Sequence, residues 1–398
     1  MPSEPERLAR VRRLLDDILP GNAFYAAKFG TPTLQSWADF TALPFTTKSE
    51  LLGGANRTFP LDRYTRMHQT SGTTTGEPLR VYDTPASWQS MCDCWHANYA
   101  GLGVTPADRL SFPFSFGPFL GFWTAFEAAT QAGIFALPGG GQNTSARLRS
   151  LIDHAITVVF CTPTYGLHLA EVAAKEGIDL GGSAVTKLVV AGEPGGSVAG
   201  LRSQLEAAWG ARVLDHYGLT EVGPVAFEHA DGPGSMAVPA SHYVAEVIDA
   251  DTAGVGELVL TNLRRTACPV VRYRTGDLVR LQGGRLVGGI LGRVDDMLHV
   301  RGNNVYPSAV EAIVRRFPEV AEFRLVVEET ATLTDLRLEL EPHAGAAGDL
   351  APRVQRAIRE ELLFRVDVTA VPAGSLPRFE LKARRLVRNR RENPPAAD

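Results

Sequence analysis

The sequence predicts an α/β protein in two parts. A large N-terminal domain carries parallel sheets covered by helices plus a barrel-like β subdomain, and a small α+β domain follows. Three observations carry this expectation. The 398 residues exceed what one compact core fills efficiently. Between about residues 108 and 220, β-rich runs alternate with helix-like segments. After residue 240 the texture changes to strands separated by turns, and it resets beyond Arg293.

The elements follow in chain order. In the first twenty residues Leu8, Val11, Leu15 and Ile18 recur at helical spacing while charges interrupt every apolar run, which predicts an amphipathic helix and not a signal peptide. The runs RLSFPFSF, ITVVFCTPT, KLVVAGEP and RVLDHYG read as strands, and TYGLHLAEVAAKEG and SVAGLRSQLEAAWG as the helices between them. HYVAEVIDA, ELVLTNL and VVRYRTGDLVRL then predict an antiparallel group. Beyond it we expect a helix from about Pro307 to Arg316, strands FRLVVEE and LRLELEP, a glycine-rich turn HAGAAGD, a helix from about Asp349 to Phe364, and a basic end. The predicted domains are 1–293 and 294–398.

Composition narrows the function classes. Hydrophobic residues make up 44% and charged residues 21%, ordinary for a globular chain. A net charge of -4 gives no long-range attraction to nucleic acid or anionic lipid, so small molecules are the expected partners, with a homodimer left open. No run approaches the roughly 20 apolar residues that span a bilayer. Cys92, Cys94, Cys161 and Cys268 form no paired framework, which fits a reducing cytoplasm.

Four short segments carry chemistry. In TSGTTTGEP, Gly72 and Gly76 permit close backbone approach, and the hydroxyls and N–H groups of Thr70, Ser71, Thr73, Thr74 and Thr75 can surround phosphate oxygens. It is not a Walker loop, since Glu77 stands where a lysine would be needed. AGEPGG follows a strand, so Gly192, Glu193 and Pro194 form a turn at the sheet's carboxyl edge, where open α/β sheets bind ligands. DHYGLTE offers Tyr217 as a flat stacking surface and Glu221 as a hard oxygen ligand for magnesium. RYRTGD places Asp277 after a strand, where a carboxylate can accept from two ribose hydroxyls. Taken alone, each segment would also suit an ordinary turn or helix start.

Together these segments, with LPFTTKSEL at 43–51, resemble the adenylate-forming superfamily of acyl-CoA synthetases, nonribosomal adenylation domains and luciferases, nearest its phenylacetate-CoA ligase branch. The resemblance implies ATP and Mg²⁺, with coenzyme A as the expected acyl acceptor. It implies that Asp215, His216, Tyr217, Gly218 and Thr220 border the nucleotide, that Glu221 binds the metal, and that Asp277 takes the ribose. LGRVDDMLHVRGNNVYPSAVE is similar to the family's interdomain hinge, which makes Arg293 a phosphate partner and Asp295 the pivot of a mobile C-terminal domain. In SLPRFELKARRL, Lys382 resembles the lysine that closes over the adenylation site. The phosphate loop departs from the family in an extra threonine and in Glu77, where many relatives carry lysine.

Phe114, Phe116, Phe119 and Phe122 fall near the expected acyl pocket, with Tyr165 expected opposite, and aromatic walls suit an aryl or arylacetic acid. No serine–histidine–acid or cysteine–histidine arrangement competes. His229 and His242 lie without a companion cysteine, so no structural metal is expected. Two alternatives remain: adenylation with another acceptor, such as an amine, a carrier-protein thiol or a nitrite-type nucleophile, and a non-catalytic nucleotide-binding homologue.

Overall fold

A computed structural model describes residues 2–70, 77–300, 303–329, 334–346, 348–379 and 383–390. The chain opens with α1 (Glu4–Ile18), whose start is fixed by Glu6 accepting from the Ser3 N–H and hydroxyl at 2.7 and 2.9 Å. Its apolar stripe of Leu8, Val11, Leu15 and Ile18 is buried, as the spacing predicts. Helices α2 (Ala23–Phe29) and α3 (Trp37–Thr41) lead to a hairpin of β1 (Arg66–Gln69) and β2 (Arg80–Asp83), then to α4 (Pro85–Tyr99).

The alternating region follows as β3 (Arg109–Phe112), α5 (Trp123–Gln131), β4 (Phe135–Pro138), α6 (Thr144–Asp153), β5 (Val158–Cys161), α7 (Pro163–Glu176), β6 (Lys187–Val190), α8 (Ala199–Trp209) and β7 (Arg212–Leu219). Strands β4, β3, β5, β6 and β7 are parallel neighbours in that order. Side chains alternate across this sheet. Val158, Phe160, Val189 and Leu214 join the core shared with α4 and α5. Val159, Cys161, Leu188, Val190 and Val213 join the core of α6, α7 and α8 on the other face. Helix α7 starts sharply because Pro163 sits at its first position and the Thr162 hydroxyl accepts from the Tyr165 N–H; it stops at Gly177, with φ of 69°.

Strand β7 turns directly into the antiparallel half: β8 (Gly223–Glu228), β9 (Ser235–Ala237), β10 (Tyr243–Ile248), β11 (Val255–Asn262), β12 (Tyr273–Gln282), β13 (Arg285–Val287) and β14 (Gly292–Arg293). The halves form one 12-stranded sheet, so the antiparallel region is continuous with the parallel one and not a detached appendage. A separate core from Leu298 to Phe364 and Val366 lies beyond it. It is built from the hairpin β15 (Leu298–Val300) and β16 (Asn303–Val305), then α9 (Pro307–Val314), β17 (Val320–Glu329), β18 (Thr334–Pro342), α10 (Leu350–Leu362), β19 (Asp367–Ala370) and β20 (Leu386–Arg390). Its four strands run in the order β19, β18, β17, β20. Among the described residues no helix is long and apolar enough to cross a membrane.

Candidate active site

The candidate residues gather around the carboxyl end of β7. One wall is built on strand register. Residues Asp277 on β12 and Arg293 on β14 are directly opposed, and Arg293 Nη1 donates to Asp277 Oδ1 at 2.6 Å. The Tyr217 hydroxyl donates to Asp277 Oδ2 at 2.5 Å. Only 4% of Asp277 is exposed. Burial pushes its carboxyl up, opposed by the Arg293 guanidinium, which lies close enough to stabilise the ionised form. Gly276, at φ of +75°, leaves room for that guanidinium, since a Cβ there would lie 3.2 Å from Arg293 Nη2.

Glu221 is buried beside this wall, and its Oε1 accepts from the Tyr273 hydroxyl at 2.7 Å. The preceding carbonyl, of Thr220, accepts from Arg265 Nη1 at 2.8 Å. Arg265 in turn grips both oxygens of Asp83 at 2.8 and 2.6 Å, and neither side chain is exposed at all. Because Asp83 ends β2, this clamp ties the β1–β2 hairpin to the Thr220–Glu221 turn. At the base of that loop Thr70 and Leu79 exchange hydrogen bonds at 2.9 and 3.0 Å. Ser71, Gly72, Thr73, Thr74, Thr75 and Gly76 lie outside the described residues, as does Lys382.

Sequence reasoning did not find Asp83, Arg265 or Tyr273. The clamp joins positions 182 apart and has no local signature. Tyr273 was within reach, because it lies inside RYRTGD and precedes Asp277 by an even number of residues on the same strand.

Several expected side chains point elsewhere. His216 is buried with its ring 4.5 Å from Trp95 and 4.7 Å from Phe227, and its Nδ1 pairs with the Ala226 carbonyl at 2.9 Å. Burial pushes its pKa down to about 3, so it is a neutral part of the aromatic core and not a nucleotide-facing group. Asp215 is likewise withdrawn: its Oδ2 accepts from Ser197 Oγ at 2.5 Å beneath the AGEPGG turn. Gly196 is obligatory there, since a Cβ would sit 2.6 Å from Asp215 Cγ. Burial, with the Glu228 charge adding to it, pushes the Asp215 carboxyl up to about 7. Gly192 in the turn has φ of +96°, and Pro194 follows it half-buried. The Glu193 carboxylate faces α7 and the C-terminal segment, accepting from the Thr164 and Ala383 N–H groups, each at 2.8 Å. Gly218 lies at a bulge between β7 and β8, where a Cβ would meet the Gly223 carbonyl at 3.0 Å.

In the acyl region Phe114 and Phe116 join an aromatic cluster, 5.1 Å from each other, with Phe116 4.4 Å from Trp123 and Phe122 5.9 Å from His216. Phe119 does not join it and stands 41% exposed. Tyr165 is not opposite these rings. It is buried on the other face of the sheet among the α6, α7 and α8 residues, and its hydroxyl accepts from Arg147 Nη1 at 2.7 Å. Asp295 sits in a short 3-10 turn after β14, 3.9 Å from the Arg293 guanidinium.

This fold, with Tyr217, Glu221, Asp277 and Arg293 gathered at the end of β7 and a second domain bonded to the first through Arg378, Ala383 and Arg385, defines an adenylate-forming ligase. Residues 55–262 match the AMP-binding enzyme family and residues 302–390 its C-terminal domain. A phenylacetate-coenzyme A ligase of Thermus thermophilus is 30% identical over 94% of this chain and 90% of its own length. The Escherichia coli K12 protein of the same name is 29% identical, over 91% and 88%. A 2-hydroxyisobutyryl-CoA ligase solved in its postadenylation state superposes with a TM-score of 0.89 at 26% identity, covering 97% of this chain and 89% of that one. The same ligase in its thioesterification state, with coenzyme A, gives 0.70 at 27% identity, over 98% and 91%. The chain therefore belongs to the AMP-binding enzyme family. Within it, it is an AMP-forming acid–CoA ligase of the phenylacetate-CoA ligase-like branch.

Proposed function

We propose that Tyr217, Glu221, Asp277 and Arg293 bind magnesium-ATP, and that the protein uses it to activate an aryl acid as the acyl-adenylate before passing the acyl group to coenzyme A. The observation that carries this reading is the buried Asp277 carboxylate, held by Tyr217 and Arg293. Each oxygen already accepts one hydrogen bond, and a carboxylate offers about four acceptor sites, which leaves capacity for two ribose hydroxyls.

Magnesium suits Glu221. A single carboxylate is a sufficient protein ligand for an ion that keeps phosphate oxygens and water in its shell, and Glu221 lies close enough to Asp277 for their charges to interact. When bound, the ion neutralises charge on the phosphate oxygens. The remaining work falls to the chain. Thr220 and residues 70–76 grip the phosphates, and Tyr217 stacks on the base. Arg293 and Lys382 face the charge that develops as a substrate carboxylate oxygen bonds to the α-phosphorus and the bond to pyrophosphate breaks. In the second step the thiol sulfur bonds to the acyl carbon and AMP departs with the electron pair. Asp295 is the pivot between domains divided at 293/294, and Phe114 and Phe116 wall the acyl site with Phe122 and Trp123. Four buried, unbridged cysteines accord with a reducing cytoplasm.

A panel of aromatic and aliphatic acids assayed for pyrophosphate release, with mass spectrometry of products, tests this reading. We expect an aryl acid to give AMP and its CoA thioester. AMP formation by no acid would remove the reading, and an adenylate that never reaches coenzyme A would change the acceptor. Lys382→Ala should abolish acid-dependent pyrophosphate exchange while leaving ATP binding nearly intact, by equilibrium dialysis.

A further inference from the structure

The segment Arg378–Arg385 meets the large domain at three described points, all on α7 and the turn after β6. Glu193 spans two amides, Thr164 from the large domain and Ala383 from the small one, each at 2.8 Å. Arg385 donates to Thr164 Oγ1 at 3.0 Å while its other contacts hold Glu322 at 2.7 and 3.0 Å and Glu311 at 3.1 Å. Arg378 donates to Glu171 Oε2 at 3.0 Å and clasps Glu341 at 2.6 and 3.1 Å. Each arginine thus links a carboxylate of the small domain to a group on α7.

We infer that Glu193 is a positioning residue, a latch that with Arg378–Glu171 and Arg385–Thr164 selects the adenylation arrangement of the two domains and must release before thioester formation. This rests on the adenylating reading above, and it gives Glu193 a task distinct from lining the nucleotide. One Glu193 oxygen accepts from the large domain's Thr164 amide and the other from the small domain's Ala383 amide, so the second bond exists only in the docked arrangement and the carboxylate distinguishes docked from undocked states. A contact shifts a conformational equilibrium only through such a difference. Lys382 immediately precedes Ala383 in the chain, so the latch acts on the segment that carries it. The domain arrangement is that of the postadenylation relative, with a TM-score of 0.89 against 0.70 for its thioesterification form.

The test separates the half-reactions in the full-length protein. Glu193→Gln keeps the shape but turns an NH₂ donor toward one of the two amides, and Arg378→Ala breaks the neighbouring tie. With the acid found active in the screen, we expect acid-dependent ATP–pyrophosphate exchange to fall about tenfold or more in each variant, the scale of a lost charge-assisted hydrogen bond. Thioester formation from supplied acyl-adenylate and coenzyme A should hold steady or rise. Unchanged exchange, or proportional loss of both half-reactions at unchanged melting temperature, would overturn the latch. Should Glu193→Gln fold poorly, Arg378→Ala decides alone. Wild-type protein lacking exchange with every acid would sink the parent reading, whereas normal wild-type exchange matched by both variants sinks only the latch.

Discussion

The clamp inside the large domain and the seam between the domains use the same chemistry under different solvent exposure. Arg265 and Asp83 are wholly buried and paired through two bonds, whereas Arg378 and Glu171 at the seam keep 23% and 28% of their side-chain surface. Inside the domain, separating the pair would strand two charges without water, so the link persists as long as the fold does. At the seam, water can replace each partner, so the contact can break without unfolding either domain.

The sharpest way to break this comparison is Asp83→Ala. It leaves a buried guanidinium unpaired and should cost about 3–5 kcal/mol of unfolding free energy in urea titration. A loss under about 1 kcal/mol would show that the pair is no more binding than a surface one. Asp277→Ala comes next: nucleotide affinity by calorimetry should fall about 10- to 100-fold, since two ribose hydroxyls lose their acceptor and Arg293 its partner.

Asp215 sharpens the buried side through pH. Its folded pKa of about 7 lies above the unfolded value, so the native state binds more protons between the two values. Stability is therefore lost as pH rises from about 4 toward 7. Asp215→Asn should flatten that limb of the melting-temperature profile, and an unaltered profile would remove Asp215 from the linkage. The smallest effect belongs to the seam. Glu171→Gln should change unfolding free energy by less than about 1 kcal/mol, because Glu171 and its partner Arg378 both keep contact with water.

Much of the fold was legible because its signals are local. Short apolar runs bounded by turn residues mark β5, β6, β7 and β11, and the helical stripe marks α1. The site was legible as motifs but not as side-chain directions. DHYGLTE reads as a block, yet β7 alternates, sending Leu214 and His216 into the aromatic core and Asp215 beneath the turn. Tyr165 follows β5 closely in sequence, and proximity in the chain does not say which face of the sheet a helix will cover. The Asp83–Arg265 clamp depends on chain segments that meet only in the folded molecule.

The unbroken 12-stranded sheet has a mechanical consequence. Tyr217 and Asp277 stand on strands of one hydrogen-bonded fabric, so the spacing between these two side chains is stiff. On the proposed reading, the adenosine would ride a rigid cradle through both chemical stages, undisturbed by any movement of the smaller unit.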